Sequence, residues 1–546
     1  MFLYFAYFRL GKSRQAALQA VPNVMQDVNR ARLGLGPKPR VWHERHLLSK
    51  FQKLRKTLGH LASVYCLTFD RTGRLAFTGA DDLLVKCWNV VDGRLLFTFR
   101  GGASEISDMT VSHDNRLLAV ATLDKIARVW SVHTGEPVAV LSKHSATLTA
   151  INFSGYVSPQ GERYLNCTGT DGTASFWRYR YDDKEEGKVV FDEQPTRYHE
   201  KSRPGKAKII CATFSPGGIF FCTGSADHNV RVYQMNGLEG PQRILEDDSH
   251  DDQVDSIQWC NVGTGPLRFV TGSSDGTARI WTYANMKWSS MILKMEKGEG
   301  GTTPSQPPPP IQPPPQQQPA GTSAEPQQRQ LRPNADSSSQ QQQLQRRDGR
   351  TVRRAALVAQ SSRRNSEDRG PGRGNDRGSV EEVNERPENE AGPSAPAAPS
   401  AADRSADLAV TMVQWTMDDL CVITAVADYS LRVWDPNTGS LLYRLSGHTS
   451  LVYTLEPHPN SGNVILSAGH DGKVIIWDLT LRKSVFEFKN DLVGQGHLPV
   501  FEAKWSPDGT TICATDSHGH LLFFGNGGDE KYRRSPSELF FHTDYR

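Results

Sequence analysis

Histidine, aspartate and hydroxyl residues recur along this chain in a pattern that invites a catalytic or metal-binding reading. Histidines stand at His60, His144, His250, His448 and His497. An aspartate is followed six positions later by an aromatic residue at Asp82/Trp88, Asp124/Trp130, Asp171/Trp177, Asp227/Tyr233, Asp275/Trp281, Asp428/Trp434 and Asp471/Trp477. A weaker eighth copy pairs Asp516 with Leu522. Three stretches add a hydroxyl and complete a set: His60, Thr78, Asp82, Trp88; His250, Thr271, Asp275, Trp281; and His448, Ser467, Asp471, Trp477. These are the residue types of nucleophilic triads and of metal ligation. Asp516-Ser517-His518-Gly519-His520 compresses the same chemistry into one turn, and His43-Glu44-Arg45-His46 offers an i,i+3 pair without a third ligand.

The spacing argues for a structural role. The steps run 42 residues from Trp88 to Trp130, then 47, 56, 48, 153, 43 and 45. Without the 153-residue step, whose excess of roughly 105–110 residues is low-complexity sequence, this is the period of a four-stranded propeller blade. Gly-His ahead of the strands and Trp-Asp at their ends are the WD40 signature. The expected fold is an all-β WD40 propeller of eight blades, and each set belongs to a separate blade. The Asp sits in a tight turn, the His in the loop entering the blade and the Trp on the third strand. A buried carboxylate needs donors and a buried indole N–H needs an acceptor, which accounts for the residue types. There is no P-loop, dinucleotide fingerprint or nucleophile elbow, and Gly263-Thr264-Gly265 lacks a strand–helix context. The chain reads as a non-enzyme with no cofactor and no metal.

The composition supports this division. Hydrophobic residues are 37% of 546, below the usual globular share, so part of the chain is not expected to pack. The expected parts are a helical or extended segment over 1–48, blades 1–5 over 49–296, a disordered Pro/Gln/Arg-rich insertion over 297–406, blades 6–8 over 407–526 and an extension over 527–546. The insertion has too little apolar surface to offset its ordering entropy. The net charge of +3 argues against a protein that coats nucleic acid, leaving at most weak or indirect contact. Arg45, Lys50, Lys53, Arg55 and Lys56 read as a solvated face. The eight cysteines lie in strand-like runs as small buried hydrophobes of a reducing compartment. No run reaches a membrane span, and MFLYFAYF lacks a basic n-region and a cleavage site, so it reads as one edge of a helix. Phe51–Leu58 is expected to close the ring as outer strand of the last blade.

The runs KTLGHLASVYCLTFDRTGRLAFTGADDLLVKCW, TGSSDGTARIW, LEPHPNSGNVILSAGHDGKVIIWDL, SPDGTTICATDSHGHLLFFG and ELFFHTDYR resemble the WD-repeat part of the bromodomain and WD-repeat proteins, over about residues 45–296 and 407–546. The resemblance implies a nuclear, chromatin-associated protein, with the cytoplasm as second compartment. It implies roles in transcription regulation, cell shape and cytoskeletal organisation, and a substrate receptor of cullin–RING ubiquitin ligases. The implied partners are proteins: a cullin-ligase adaptor, chromatin proteins or histone tails, bound by a monomeric propeller. The alternative is a histone-tail reader using the propeller face. The family continues beyond this chain's Arg546 into a histone-reading module and two bromodomains, so acetyl-lysine binding is not assigned here. The Trp-Asp-x-Arg motif of adaptor-binding propellers is incomplete: Trp434-Asp435 precedes Pro436-Asn437, Trp477-Asp478 precedes Leu479-Thr480, and Trp177-Arg178-Tyr179-Arg180 lacks the Asp. Two serines fit kinase patterns, Ser366 after Arg363-Arg364-Asn365 and Ser535 before Pro536.

Overall fold

The computed structural model describes residues 48, 50–182, 188–199, 208–237, 240–248, 250–261, 266–295, 408–492, 496–532 and 536–545. The expected N-terminal helix (apart from Leu48), the His43/His46 pair, Arg45, Gly263–Gly265, the insertion, Ser366 and Ser535 lie outside these residues.

Short Val-, Ile- and Phe-rich runs separated by Gly and Asp turns cannot bury an apolar face alone, so each group of four forms an antiparallel sheet and neighbouring sheets stack. Eight such blades follow one another. Their first, innermost strands are Val64–Phe69, Ile106–Val111, Leu148–Val157, Ile209–Phe214, Val254–Trp259, Val410–Trp415, Val452–Pro457 and Val500–Trp505. Blades 1, 2 and 4–7 each run in chain order from inner to outer strand. Blade 3 departs from this, because its long third strand Thr173–Tyr181 carries two short outer strands, Val189–Phe191 and Thr196–His199, on different halves. Blade 5 ends at Lys294 and blade 6 begins at Val410.

The ring is closed by the start of the chain. Phe51–Leu58 pairs antiparallel with His520–Asn526, from Phe51 opposite Asn526 to Leu58 opposite His520. The exposed edge that blade 8 would otherwise present is thereby covered. Phe51 packs edge-on against Trp505 and Phe486, in a cluster shared by blades 7 and 8. Of the basic residues of this strand, Lys56 reaches Asn490 and Asp516, and Lys53, exposed as expected, lies over the Phe488 ring.

One backbone feature repeats in every blade. The turn between second and third strands contains one residue with φ between 67° and 86°: Leu83, Lys125, Gly172, His228, Gly276, Tyr429, Gly472 and Gly519. Four of these are not glycine, although the left-handed region disfavours a Cβ. In the first seven blades the aspartate immediately precedes this residue, and the hydrogen bonds described below hold the turn. Gly519 has a second reason to be glycine, since a Cβ there would sit 2.0 Å from the His60 carbonyl oxygen.

The eighth blade corrects the sequence register. Val85 stands opposite Gly79 and Leu521 opposite Thr515, so the turns 80–84 and 516–520 correspond. Phe524, not Leu522, therefore occupies the place of Trp88. His518 replaces Asp82 and Ala514 replaces Thr78. The 310 turns Asp529–Tyr532 and His542–Tyr545 follow, and residues 537–539 lie beside the closing strand, with Leu58 bonded to Ser537 and Leu539.

Candidate functional site

The three complete sets assemble as hydrogen-bonded chains. In blade 1, His60 Nδ1 lies 2.9 Å from Asp82 Oδ2, His60 Nε2 2.7 Å from Thr78 Oγ1, and Trp88 Nε1 donates to the same oxygen at 2.8 Å. Blade 5 repeats this with His250, Asp275, Thr271 and Trp281 at 2.9, 2.8 and 3.1 Å. Blade 7 does so with His448, Asp471, Ser467 and Trp477 at 3.0, 2.7 and 2.8 Å. Every donor finds an acceptor when the His carries its proton on Nδ1: Trp gives to the hydroxyl, the hydroxyl to Nε2, and Nδ1–H to the carboxylate. Each carboxylate also accepts backbone N–H groups, those of Leu61 and Leu84, of Asp251 and Thr277, and of Thr449 and Lys473.

Burial opposes ionisation of these aspartates, and the donors outweigh it. The hydrogen bond from His60 and those from the Leu84 and Leu61 backbone N–H groups hold Asp82 below the usual carboxylate range. His250 and Thr277 bring Asp275 down to about 2. Ser467, His448 and Asp471 have the connectivity of a hydrolase triad. Their hydroxyl is fully buried, however, and already accepts the Trp477 indole N–H. This arrangement fixes turns.

Blade 3 has the set with one member changed. His144 Nδ1 lies 3.2 Å from Asp171, which accepts from the N–H groups of Ser145 and Thr173. Cys167 occupies the hydroxyl position, and the buried His144 Nε2 has no partner. Blades 2, 4 and 6 use another solution that sequence reasoning missed. An arginine four residues after the aspartate replaces the histidine: Arg128 on Asp124 at 2.8 Å, Arg231 on Asp227 at 2.7 Å and Arg432 on Asp428 at 2.7 Å. The signal was present as Asp-x-x-x-Arg. Odd blades thus clamp the turn with histidine from the entering loop, and even blades 2–6 with arginine from the third strand.

Blade 8 does neither. His497, expected in the entering loop, lies in an exposed two-residue-paired hairpin and bonds Asp491 instead. Asp516 accepts from Asn490 at 3.0 Å and contacts His520 Nδ1 at 2.9 Å, while Ser517 pairs with His518. No Ser–His–Asp chain forms. Burial opposes the Asp516 charge, but His520 and Asn490 bring its pKa to about 2.

The end of the chain forms a second cluster that composition did not reveal. Lys86, fully buried, bonds Asp544 at 2.6 Å; Arg100 reaches the other oxygen at 2.6 Å; and Phe540 lies 4.4 Å from the ammonium. Tyr532 donates to the Val90 carbonyl. The extension is thereby bound to blade 1. On the outside of blade 3, Arg178 is held by Asp192 at 2.6 Å and Glu162 at 3.0 Å, and Arg180 is exposed. Beside them an open groove of about 460 Å³ lies between the outer strand Pro137–Leu141 of blade 2 and Val189–Phe191. Val140 in its wall is 63% exposed. Among the described residues no helix is long and apolar enough to cross a membrane.

Comparison with known proteins agrees with this architecture. The WD domain, G-beta repeat (WD40) matches residues 52–89, 93–131, 199–234, 241–282 and 439–478. A bromodomain and WD repeat-containing protein of Dictyostelium discoideum is 24% identical over 557 residues, covering 91% of this chain; the chain spans 21% of that relative. Eukaryotic translation initiation factor 3 subunit I of Neosartorya fischeri is 29% identical over 42% of this chain and 65% of its own length. The crystal structure of the computationally designed Ika8 protein superposes with a TM-score of 0.51 at 16% identity, over 87% of this chain and 99% of that one, a likeness of fold.

Proposed function

Taking the chain as a WD40-repeat propeller related to the bromodomain and WD-repeat proteins, we propose that it is a non-catalytic scaffold that holds partner proteins on the propeller. One observation carries this reading. The chemically capable His, Asp and hydroxyl sets are consumed inside the blades, while apolar side chains such as Val140 and Val190 stay exposed along open outer strand edges. Such edges take up an extended partner segment by strand addition. The resemblance implies a substrate receptor that binds a cullin-ligase adaptor in the nucleus, with roles in transcription regulation, cell shape and cytoskeletal organisation. Exposed Arg180 and the groove between blades 2 and 3 are where we place that contact. Phosphorylation at Ser366 or Ser535 would regulate such an assembly. The test is co-elution of the chain with a purified cullin adaptor, with Val140→Glu and Arg180→Glu variants alongside. Loss of co-elution in folded variants supports the reading; co-elution untouched by either removes this contact.

A histone-tail reader is the second reading. It is favoured by the loop entering blade 5, where Asp248, Asp251 and Asp252 stand between the strands Gly240–Asp247 and Val254–Trp259, at the end of the ring that carries the His/Asp turns. A basic peptide would be drawn there. Binding of unmodified tail peptides that disappears in Asp251→Asn/Asp252→Asn would support it, and binding unaffected by that pair would count against it.

A further inference from the structure

At the opposite end of the ring from the His/Asp turns, the inner strands of blades 2–5 and the turns after them enclose a polar vestibule of about 290 Å³. Four of its wall positions are equivalent by register: Thr110, Asn152, Thr213 and Gln258, each the fifth residue of its blade's inner strand. Arg71, from the turn of blade 1, and His113, from the turn of blade 2, complete one side. No carboxylate contributes to the lining.

We propose that this vestibule binds an oxyanion, the carboxylate or phosphate group of a partner molecule. Arg71 is positioned but not neutralised. Its Nε donates to the Ser112 carbonyl at 3.3 Å and one Nη to the Val111 carbonyl at 2.9 Å, and its backbone N–H to Asn115 Oδ1 at 2.8 Å. Both guanidinium acceptors are neutral, and among the described residues no carboxylate lies within ion-pair distance. The neighbouring acid, Asp114, is already engaged by Ser112, Tyr181 and Arg163. Asp114 acts on the guanidinium through its charge without contacting it, and one guanidinium nitrogen makes no hydrogen bond, the donor that a planar oxyanion uses best. The other donors are available too. The Gln258 amide and the Thr110 and Thr213 hydroxyls make no side-chain hydrogen bond to the described protein, and the exposed His113 ring sits over Gly155, whose added Cβ would stand 3.1 Å from its Nε2. The equivalent positions in blades 7 and 8 are Glu456 and Lys504, and Lys504 is spent on the Leu67 carbonyl and on Glu502. The charge that remains for a ligand is that of Arg71.

The experiment is an NMR titration of the full chain with labelled histidine, using inorganic phosphate and acetate as separate probes and sodium chloride as the control for ionic strength. The His113 ring should shift saturably with phosphate, with acetate or with both, which also tells phosphoryl from carboxylate preference, while exposed His133 should not. Arg71→Gln should weaken binding by about tenfold or more, the worth of a charge-assisted pair. Because Arg71 also ties blade 1 to blade 2, Thr213→Val provides a second, uncharged variant, expected to weaken binding a few-fold with the fold intact. No saturable shift with either probe, equal shifts at His133, or binding unchanged in Thr213→Val and Arg71→Gln would overturn the proposal.

Discussion

Replacing Cys167 by threonine should stabilise the protein, and the reason can be worked from the other blades. In blades 1, 5 and 7 the His Nε2 meets a hydroxyl at 2.7, 2.8 and 2.7 Å, whereas His144 Nε2 in blade 3, its side chain 2% exposed, meets none. A buried unsatisfied polar atom costs about 1–3 kcal/mol, and a net hydrogen bond contributes about 0.5–1.5 kcal/mol. Against this stands the loss of a buried thiol, which burial keeps protonated by raising its pKa and which packs against the blade 2–3 core. A net gain of about 1 kcal/mol is expected. In a chain of this size that moves the melting temperature by only about 1–2 °C, so the urea midpoint is the better readout. Hydrogen exchange at Ser145 and Thr173, whose N–H groups bond Asp171, should slow as well. The decisive step is a cycle with His144→Leu. If the gain comes from the new Thr–His bond, Cys167→Thr gains nothing in the His144→Leu background. A gain of the same size in both backgrounds, or a loss in the parent, refutes the reasoning.

Three further perturbations follow from the same geometry. Asp544→Ala leaves the Lys86 ammonium buried without its hydrogen-bonded carboxylate, so a loss of about 3–5 kcal/mol is expected in urea titration, and the pair Lys86→Met with Asp544→Leu should recover most of it. Deleting residues 45–58 uncovers the edge of His520–Asn526; light scattering and melting should show aggregation or a lower midpoint, and unchanged behaviour would mean the ring closes otherwise. The pH profile of stability should fall on both sides of a mildly acidic maximum. Asp275 and Asp516 have folded pKa values of about 2, below the unfolded value, so their contribution is complete above about pH 4 and is lost as pH falls through 2. Asp255 and Glu456 are pushed up to about 7, chiefly by burial, so their folded states hold protons that the unfolded chain has released and stability declines from about pH 4 to 7. Asp255→Asn and Glu456→Gln should flatten that neutral-side slope in urea titrations, and an unchanged slope would contradict the assignment.

The repeated residues made the propeller legible because a blade needs the same turn each time. Asp82, Asp171, Asp275 and Asp471 announce their turns, and the apolar runs around them announce the strands. The eighth blade misled for a physical reason. Asp516 stands six positions before Leu522, but the turn requires its left-handed residue at Gly519, which moves the aromatic position to Phe524. His497 misled because the hairpin of Asp491 and Leu492 with Gly496 and His497 takes up the entering loop and carries the ring away from the turn. The arginine clamps of blades 2, 4 and 6 were readable as a basic residue four after each aspartate, yet Lys86 and Arg279 share that spacing in histidine blades, so the pattern alone does not say which side chain answers the carboxylate. The extension over 536–545 has neither periodicity nor a strand pattern; its binding depends on Lys86 and Arg100 some 450 residues earlier, a pairing with Asp544 that only the closed ring creates.

The central claim is that the propeller itself is the binding module. The measurement that tests it most directly is quantitative capture of partner proteins by three forms of the chain: whole, lacking residues 300–404, and residues 300–404 alone. The account predicts that the form without 300–404 keeps its stability and retains the partners of the whole chain, and that Val140→Glu or Arg180→Glu in that form releases at least one of them. Partners that follow residues 300–404 alone, with none retained by a folded propeller, would contradict it.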